Sequence, residues 1–437
     1  MIAHTQRHAK LLNAILLFAL LIIALPIAAL KEVDNLNIYA IFAITISSYA
    51  TLSLLKRKAW ISFSFLAINT SFALMVFAKL FATEYTPDAW RSALFDYKSS
   101  KTAFNLTLDF LLITSLTFFI FSTSKCSINL SKHKTQRPRV IFIISATTLL
   151  IIFLLTDFKF LSYGKFSYGG LSSGIPFLEL ITLLSYIAIL DFKNISSTKL
   201  GVAYLALLAF CVASIFLFGF RGLLLGCFIV LVSKISETKK INLLPLIAFG
   251  AMAFFSFIII GIARAENDVN LESLMSMTGK HEENEFYTIL LSVQNPNVLS
   301  SNSYIDSLLR IFGGASETVS SKFASETLPL EITSAGANMG MHFISEAFLN
   351  FGYYGALFFT FAVCLLISLI EKLSNISLLA RCMSIMLLAQ SYTLAYYGSS
   401  NFLSMVIQGT IILYAYAFYT KLSTITAVSP HQEPIDN

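Results

Sequence analysis

The chain has 437 residues, 56% of them hydrophobic and 12% charged, with a mean hydropathy of +0.75. Soluble domains carry about 25% charged residues, so this composition excludes an ordinary soluble globule and a disordered chain. The net charge of +6 does not require a nucleic-acid partner, because Lys and Arg also collect in the cytoplasmic loops of membrane proteins.

Apolar runs along the sequence predict an all-α polytopic integral membrane protein with about 12 transmembrane helices, since one span needs about 20 apolar residues. The runs cover residues 11–30, 36–55, 59–82, 103–122, 139–156, 175–191, 200–219, 221–235, 243–263, 341–370, 378–397 and 402–420. The first run is longer than the apolar core of a signal peptide and lacks a following cleavage site, so we expect a retained helix. One helix over 200–235 would be too long for the bilayer, so a tight hairpin is predicted at 219–222.

The distribution of Lys and Arg predicts the orientation of these helices. With both termini in the cytoplasm, most of the 30 basic residues lie in short cytoplasmic segments, as the positive-inside rule requires. The predicted organisation is helices 1–9 in residues 1–263, a large outward-facing loop at 264–340, helices 10–12 in 341–420, and a cytoplasmic tail at 421–437. Apolar patches at 287–291 and 304–312 predict short helices of the loop that pack on the membrane domain.

Ionisable residues inside the predicted spans are costly to bury and are therefore candidates for function. They lie near the outward ends of their helices and comprise Lys79, Asp109, Glu179, Arg221, His342 and Glu346. A transporter with a central substrate site would place such groups at mid-depth, whereas a reaction at the outer membrane face would place them here. The alternative is that side chains near helix ends only extend to the membrane surface.

Arg221 opens a predicted helix within the sequence Phe-Gly-Phe-Arg-Gly-Leu-Leu at 218–224. Backbone N–H groups at a helix start and a planar guanidinium together favour a phosphate ligand. The alternative is an arginine that faces lipid head groups.

A polar stripe follows the long loop. Its members recur at helical spacing and are His342, Ser345, Glu346, Leu349, Asn350 and Tyr353. Gly352 and Gly355 are expected to let a neighbouring helix approach closely, and the alternative to a functional site is a hydrogen-bonded packing seam. His342 and Glu346 have the spacing of metal ligands, but no third His or Cys accompanies them, so we predict no metal.

The layout resembles the Wzy-type O-antigen polymerases, which are related to the O-antigen ligases. The resemblance rests on about a dozen helices, one large loop in the C-terminal half, and two short segments. These are Phe-Arg-Gly-Leu-Leu at 220–224 and His-Phe-Ile-Ser-Glu-Ala-Phe-Leu-Asn-Phe-Gly-Tyr-Tyr-Gly at 342–355. Asn350 stands where the ligases carry an acid. The resemblance implies a fold like the C-type membrane glycosyltransferases.

The resemblance also implies a reaction at the periplasmic face of the bacterial inner membrane. A glycan on undecaprenyl pyrophosphate is transferred to the non-reducing end of another lipid-linked oligosaccharide repeat unit. Because the leaving group is already activated, and no P-loop or Rossmann motif is present, we expect no cofactor. Membrane lipids and a chain-length regulator protein are further expected partners, and nucleic acid is not.

The polymerase reaction assigns roles to five residues. The arginines expected to bind the pyrophosphate are Arg221, Arg264 and Arg310. His342 is expected to accept the proton of the acceptor hydroxyl, because imidazole titrates near neutrality, and Glu346 to orient it. Two other functions remain open. An O-antigen ligase would share the site but transfer the glycan to the lipid A core, and a polysaccharide flippase would lack the long loop.

Overall fold

The structure is a computed structural model that describes residues 36–81, 97–122, 125–130, 143, 145–147, 150, 178–191, 199–217, 221–238, 280–299, 302–311, 319–327, 340–396 and 398–428. Within these ranges most residues are helical and none forms a β-strand. The helices of the N-terminal half are α1 (Leu36–Arg57), α2 (Trp60–Phe81), α3 (Tyr97–Phe121), α4 (Leu178–Leu190), α5 (Lys199–Leu217) and α6 (Arg221–Thr238). The helices that follow are α7 (Lys280–Gln294), α8 (Ser303–Ile311), α9 (Val319–Thr327), α10 (Phe343–Leu373), α11 (Leu378–Ala389), α12 (Ser391–Tyr396) and α13 (Ser399–Val428).

Five helical stretches in the described part of the chain are long and apolar enough to cross a membrane. They are Ile38–Arg57, Trp60–Phe77, Lys101–Phe121, Phe343–Leu373 and Phe402–Tyr419. The chain is therefore an α-helical membrane protein, as its composition predicts. The predicted spans at 11–30 and 243–263, and most of 139–156, lie outside the described residues, so the total of about 12 stays a prediction.

The chain divides into two units, which are described one at a time. The first unit contains α1–α3, α7–α9, α10 as far as Lys372, and Leu394–Ser400. Its centre is aromatic: the Phe65 ring of α2 makes edge contacts with Phe110 and Phe118 of α3, at centroid distances of 6.4 and 6.1 Å, and with Phe343 of α10 at 5.9 Å. These contacts bring the first turn of α10 into the core of the unit.

The second unit contains α4–α6, α11 and most of α13. Two glycines of α6 allow a close helix approach, since a Cβ would lie 1.9 Å from the Ala389 carbonyl oxygen at Gly226 and 2.4 Å from the Tyr392 ring at Gly222. An ion pair joins Lys234 Nζ to Asp191 Oδ1 at 3.1 Å. The second unit is therefore held by small residues at helix contacts and by polar links, as is common in membrane bundles.

Helix α10 is not continuous, in contrast to the uninterrupted span predicted at 341–370. Gly352 has φ +68° and ψ −173°, which kinks the helix between its first turns and its long remainder. The expected close helix approach at Gly352 is not found within the described part of the chain, because a Cβ there would meet none of its atoms within 4 Å. The glycine is instead required by a backbone conformation that other residues rarely adopt.

The run predicted as one helix at 378–397 also differs in the structure. It forms α11 and the short α12, and they are separated at Gln390, whose backbone N–H still donates to the Met386 carbonyl. The predicted patch at 287–291 forms a helix within α7, and the patch at 304–312 forms a helix, α8, as far as residue 311, since residue 312 lies outside the described residues. Helix α9 was not predicted, because its sequence Val-Ser-Ser-Lys-Phe-Ala-Ser-Glu-Thr is mostly polar.

Candidate functional site

His342 immediately precedes α10 and caps its first turn. Its carbonyl oxygen accepts the N–H groups of Ser345 at 2.9 Å and Glu346 at 3.2 Å, and its Nδ1 accepts the Ile344 N–H at 3.3 Å. A side chain that accepts a backbone N–H at a helix start satisfies one of the donors that the helix cannot pair itself. Because Nδ1 is the acceptor, the proton of the neutral ring lies on Nε2.

Aromatic rings surround the imidazole of His342, which is completely buried. The ring stacks on Phe72 with centroids 4.5 Å apart, and Phe110 and Tyr396 approach it edge-on at 5.6 and 5.9 Å. These contacts fix the plane of the ring. A substrate group can therefore reach His342 only if the surrounding side chains move.

Glu346 lies one helical turn after His342 and is also completely buried. Its Oε1 accepts the Ser303 hydroxyl of α8 at 2.7 Å and the Ser399 hydroxyl at 2.5 Å, and its Oε2 accepts the Ser399 backbone N–H at 2.7 Å. Ser399 is the first residue of α13, so the carboxylate caps that helix and is favoured by the positive end of its dipole. Glu346 thus joins three helices.

The residue before Ser399 is Gly398, which lies close to the carboxylate of Glu346. Gly398 has φ +71°, and a Cβ at this position would lie 3.0 Å from Glu346 Oε2. Any larger residue would face both a strained backbone and a close contact with the carboxylate. Gly398, Ser399 and Ser303 are therefore parts of the site that the sequence did not reveal.

Asn350, at the position where an acid was expected, makes three hydrogen bonds through its side-chain amide. Its Oδ1 accepts the Ser303 N–H at 2.9 Å, while its Nδ2 donates to Ser303 Oγ and to the Glu346 carbonyl, both at 2.7 Å. An aspartate could accept the first bond but could not donate the other two, and it would add a negative charge beside Glu346. The amide therefore fits this site better than an acid would.

The other polar members of the stripe also bond to neighbouring helices. Ser345 and Thr288 of α7 bring their hydroxyl oxygens to 3.4 Å, and Tyr353 donates to Asp109 Oδ2 at 2.6 Å. Tyr39 of α1 donates to the other oxygen of Asp109. The stripe is therefore a hydrogen-bonded seam through the first unit, which is the structural alternative that the sequence left open.

The structure describes the predicted arginines only in part. Arg221 begins α6 in the second unit, as its predicted place at a helix start requires, but its side chain lies outside the described residues. Arg310 lies in the last turn of α8, and its side chain is likewise not described. Arg264 lies outside the described residues altogether. The pyrophosphate-binding roles of the three arginines stay predictions.

No group of three or more His, Cys, Asp or Glu side chains in the described part of the chain is arranged to hold a metal ion. Compared with protein-family models, curated proteins and solved structures, this chain matches none. The chemistry of the site therefore has to be inferred from its own residues and from the layout of the sequence.

Proposed function

We propose that the chain is an O-antigen polymerase, a membrane glycosyltransferase that joins oligosaccharide repeat units carried on undecaprenyl pyrophosphate. It acts at the periplasmic face of the bacterial inner membrane, with both termini in the cytoplasm and residues 264–340 in the periplasm. The support comes from the segment layout of the sequence and from the two short segments at 220–224 and 342–355. The alternative functions are an O-antigen ligase and a polysaccharide flippase.

The main structural support is a set of hydrogen bonds between the long polar segment and α10. Helix α8, which belongs to the long polar segment 264–340, is bound through Ser303 to both Glu346 and Asn350 of a membrane-spanning helix. The long segment and the His342–Glu346 pair are therefore parts of one cluster. An enzyme that acts on a lipid-linked sugar needs such a junction, because the sugar lies outside the bilayer while its carrier lies inside.

The proposed reaction needs a proton acceptor and a stabiliser of the leaving group. The acceptor hydroxyl oxygen bonds to the anomeric carbon of the donor sugar, and the bond from that carbon to the pyrophosphate oxygen breaks. The hydroxyl proton passes to His342, and the arginines stabilise the negative charge on the departing lipid pyrophosphate. Nδ1 of His342 accepts the Ile344 N–H, so this hydrogen bond has to break before Nδ1 can take the proton of the acceptor hydroxyl.

A deletion strain tests the function. Gel electrophoresis of its lipopolysaccharide should show loss of the long O-chains while molecules with a single repeat unit remain. A polymerase lengthens the glycan before a ligase transfers it to the lipid A core, so single repeat units can still be transferred without it. Loss of all O-antigen would contradict the proposal and favour a ligase or a flippase. Expression of the chain from a plasmid should restore the long chains and serves as the control.

Cysteine labelling tests the proposed orientation. A membrane-impermeant reagent applied to intact spheroplasts should label a Ser301→Cys variant and leave a Ser127→Cys variant unlabelled, because the first residue belongs to the proposed periplasmic segment and the second to a cytoplasmic one. The opposite pattern would overturn the orientation. Permeabilised spheroplasts provide the control that both cysteines can react.

A further inference from the structure

Helix α8 turns its polar side into the protein and its apolar side outward. Ser303 and Ser307 are buried and hydrogen-bonded, the latter to Ser399 at 2.7 Å. Residues at helical spacing on the opposite side are exposed: Ile305 by 56%, Leu308 by 44% and Leu309 by 51%. A helix that lies on a water-facing surface has the reverse arrangement, with its apolar side toward the core.

The apolar side of α8 adjoins a surface that belongs to a membrane-spanning helix. The Tyr304 ring of α8 lies parallel to Phe351 of α10 at 5.8 Å and contacts Phe359 at 4.6 Å. On the same stretch of α10, Tyr354 and Phe358 are 85% and 73% exposed. Because α10 is apolar and long enough to cross a membrane, we expect its exposed aromatic side chains to face lipid.

The polar contacts of α8 fix which side can face outward. Ser303 bonds to Glu346 and Asn350, and Ser307 bonds to Ser399, so rotation of the helix would break these bonds. The apolar side of α8 is therefore held outward, next to the lipid-facing side of α10.

We propose that α8 is an interfacial membrane helix whose residues Ile305, Leu308 and Leu309 contact the acyl chains of the bilayer. A helix with one strongly apolar side that lies along a membrane surface in this way is a known mode of membrane contact. Part of the segment 264–340 is then embedded in the membrane interface. The proposal depends on the membrane-spanning character of α10 and is independent of the reaction that the chain catalyses.

Spin labelling of the purified full-length protein in phospholipid nanodiscs tests this proposal. A nitroxide is attached at Leu308→Cys, and its collision rates are measured with oxygen, which concentrates in lipid, and with a water-soluble nickel chelate. Asn297→Cys, an exposed residue of the same polar segment, serves as the water reference, and Leu366→Cys, which is 52% exposed on α10, serves as the lipid reference. The five native cysteines are all buried, so the introduced cysteine reacts first.

The expected result is that Leu308→Cys resembles Leu366→Cys, with oxygen collisions exceeding those with nickel several-fold, and that Asn297→Cys shows the opposite ratio. Equal behaviour of Leu308→Cys and Asn297→Cys would overturn the proposal, because α8 would then lie in water. An immobile label that neither reagent reaches would also overturn it, since protein would then cover this side. Ile305→Cys provides the second variant if Leu308→Cys does not fold, as judged by gel filtration.

Discussion

Helix α10 carries a buried glutamate near each end, and both glutamates cap another helix. Glu346 accepts the Ser399 N–H at the start of α13 at 2.7 Å. Glu371 accepts the N–H groups of Ile61 at 2.7 Å and Ser62 at 3.1 Å at the start of α2. Burial of a carboxylate at a helix start is thus a device that this chain uses twice, and it needs no catalytic explanation.

The surroundings of the two glutamates differ. Glu371 accepts the Ser62 hydroxyl at 2.6 Å, and hydroxyl contacts continue from Ser62 to Ser122 and Ser368. Glu346 lies one turn from His342 and is joined to the long polar segment through Ser303. The comparison teaches that burial and capping explain the shared features, whereas the nearby imidazole of His342 and a contact with the long segment distinguish the Glu346 end. Function should therefore depend on one end and stability on both.

Of the substitutions at the two ends of α10, those of His342 are expected to lower the polymerisation rate most. If His342 is the proton acceptor, His342→Ala should lower the polymerisation rate per folded molecule by about 10²–10⁴-fold. His342→Asn separates catalysis from capping, because asparagine caps a helix well but does not accept the proton. If His342→Asn polymerises at the normal rate, His342 acts only as a cap of α10.

Arg221 tests whether the reaction needs a phosphate-binding group besides the cluster at the start of α10. Loss of one contact to a developing charge typically lowers a rate by about 10²–10³-fold, and a lysine does not reproduce a bidentate guanidinium contact. Both Arg221→Ala and Arg221→Lys should therefore make few long chains at a normal protein level. Normal chain length in Arg221→Ala, measured by gel electrophoresis of lipopolysaccharide, would remove Arg221 from the mechanism.

The pair Glu346→Gln and Glu371→Gln compares the two ends directly. Both variants should unfold at a lower temperature, because each hydrogen bond lost from a charged group costs about 1.5–3 kcal/mol. Per folded molecule, Glu346→Gln should lose about 10²-fold in rate and Glu371→Gln should stay near normal. Equal rates in the two variants would mean that Glu346 has only the structural role of Glu371.

Gly352 lies between the two ends of α10, and its substitution should affect polymerisation least, because its expected effect is on stability. Its conformation is almost confined to glycine, so Gly352→Ala should destabilise the fold by about 1–3 kcal/mol. Because a Cβ there would meet no atom of the described residues within 4 Å, Gly352→Ser should cost as much as Gly352→Ala. An unchanged melting temperature in both variants, measured on the detergent-solubilised protein, would show that the kink is not required.

The sequence predicted the elements better than their contacts. Apolar runs locate the helices closely, as in the predicted run 59–82 and the observed Trp60–Phe81, because length and hydropathy are local properties. The predicted run 341–370 also placed His342 and Glu346 one turn apart at the start of α10. The seam that binds them was not predictable, since Ser399 lies 53 residues from Glu346 and a serine carries no local sign of its partner.

The kink was missed for a related reason. A glycine in an apolar run fits close packing as well as a positive φ, and the sequence does not distinguish them. Gly226 packs closely against Ala389, whereas Gly352 has a positive φ, and a Cβ there would meet none of the described residues within 4 Å. The two glycines therefore have opposite physical explanations that only the three-dimensional structure separates.

The most direct test of the proposed function is a polymerisation assay with the purified protein in phospholipid vesicles. Undecaprenyl-pyrophosphate-linked repeat units extracted from the deletion strain are supplied without ATP or nucleotide sugars. We predict that the glycans on the lipid lengthen by whole repeat units and that undecaprenyl pyrophosphate is released in proportion. If the folded protein neither lengthens the glycans nor releases the lipid, while the plasmid-borne chain still restores long O-chains in cells, the chain is not the polymerising enzyme.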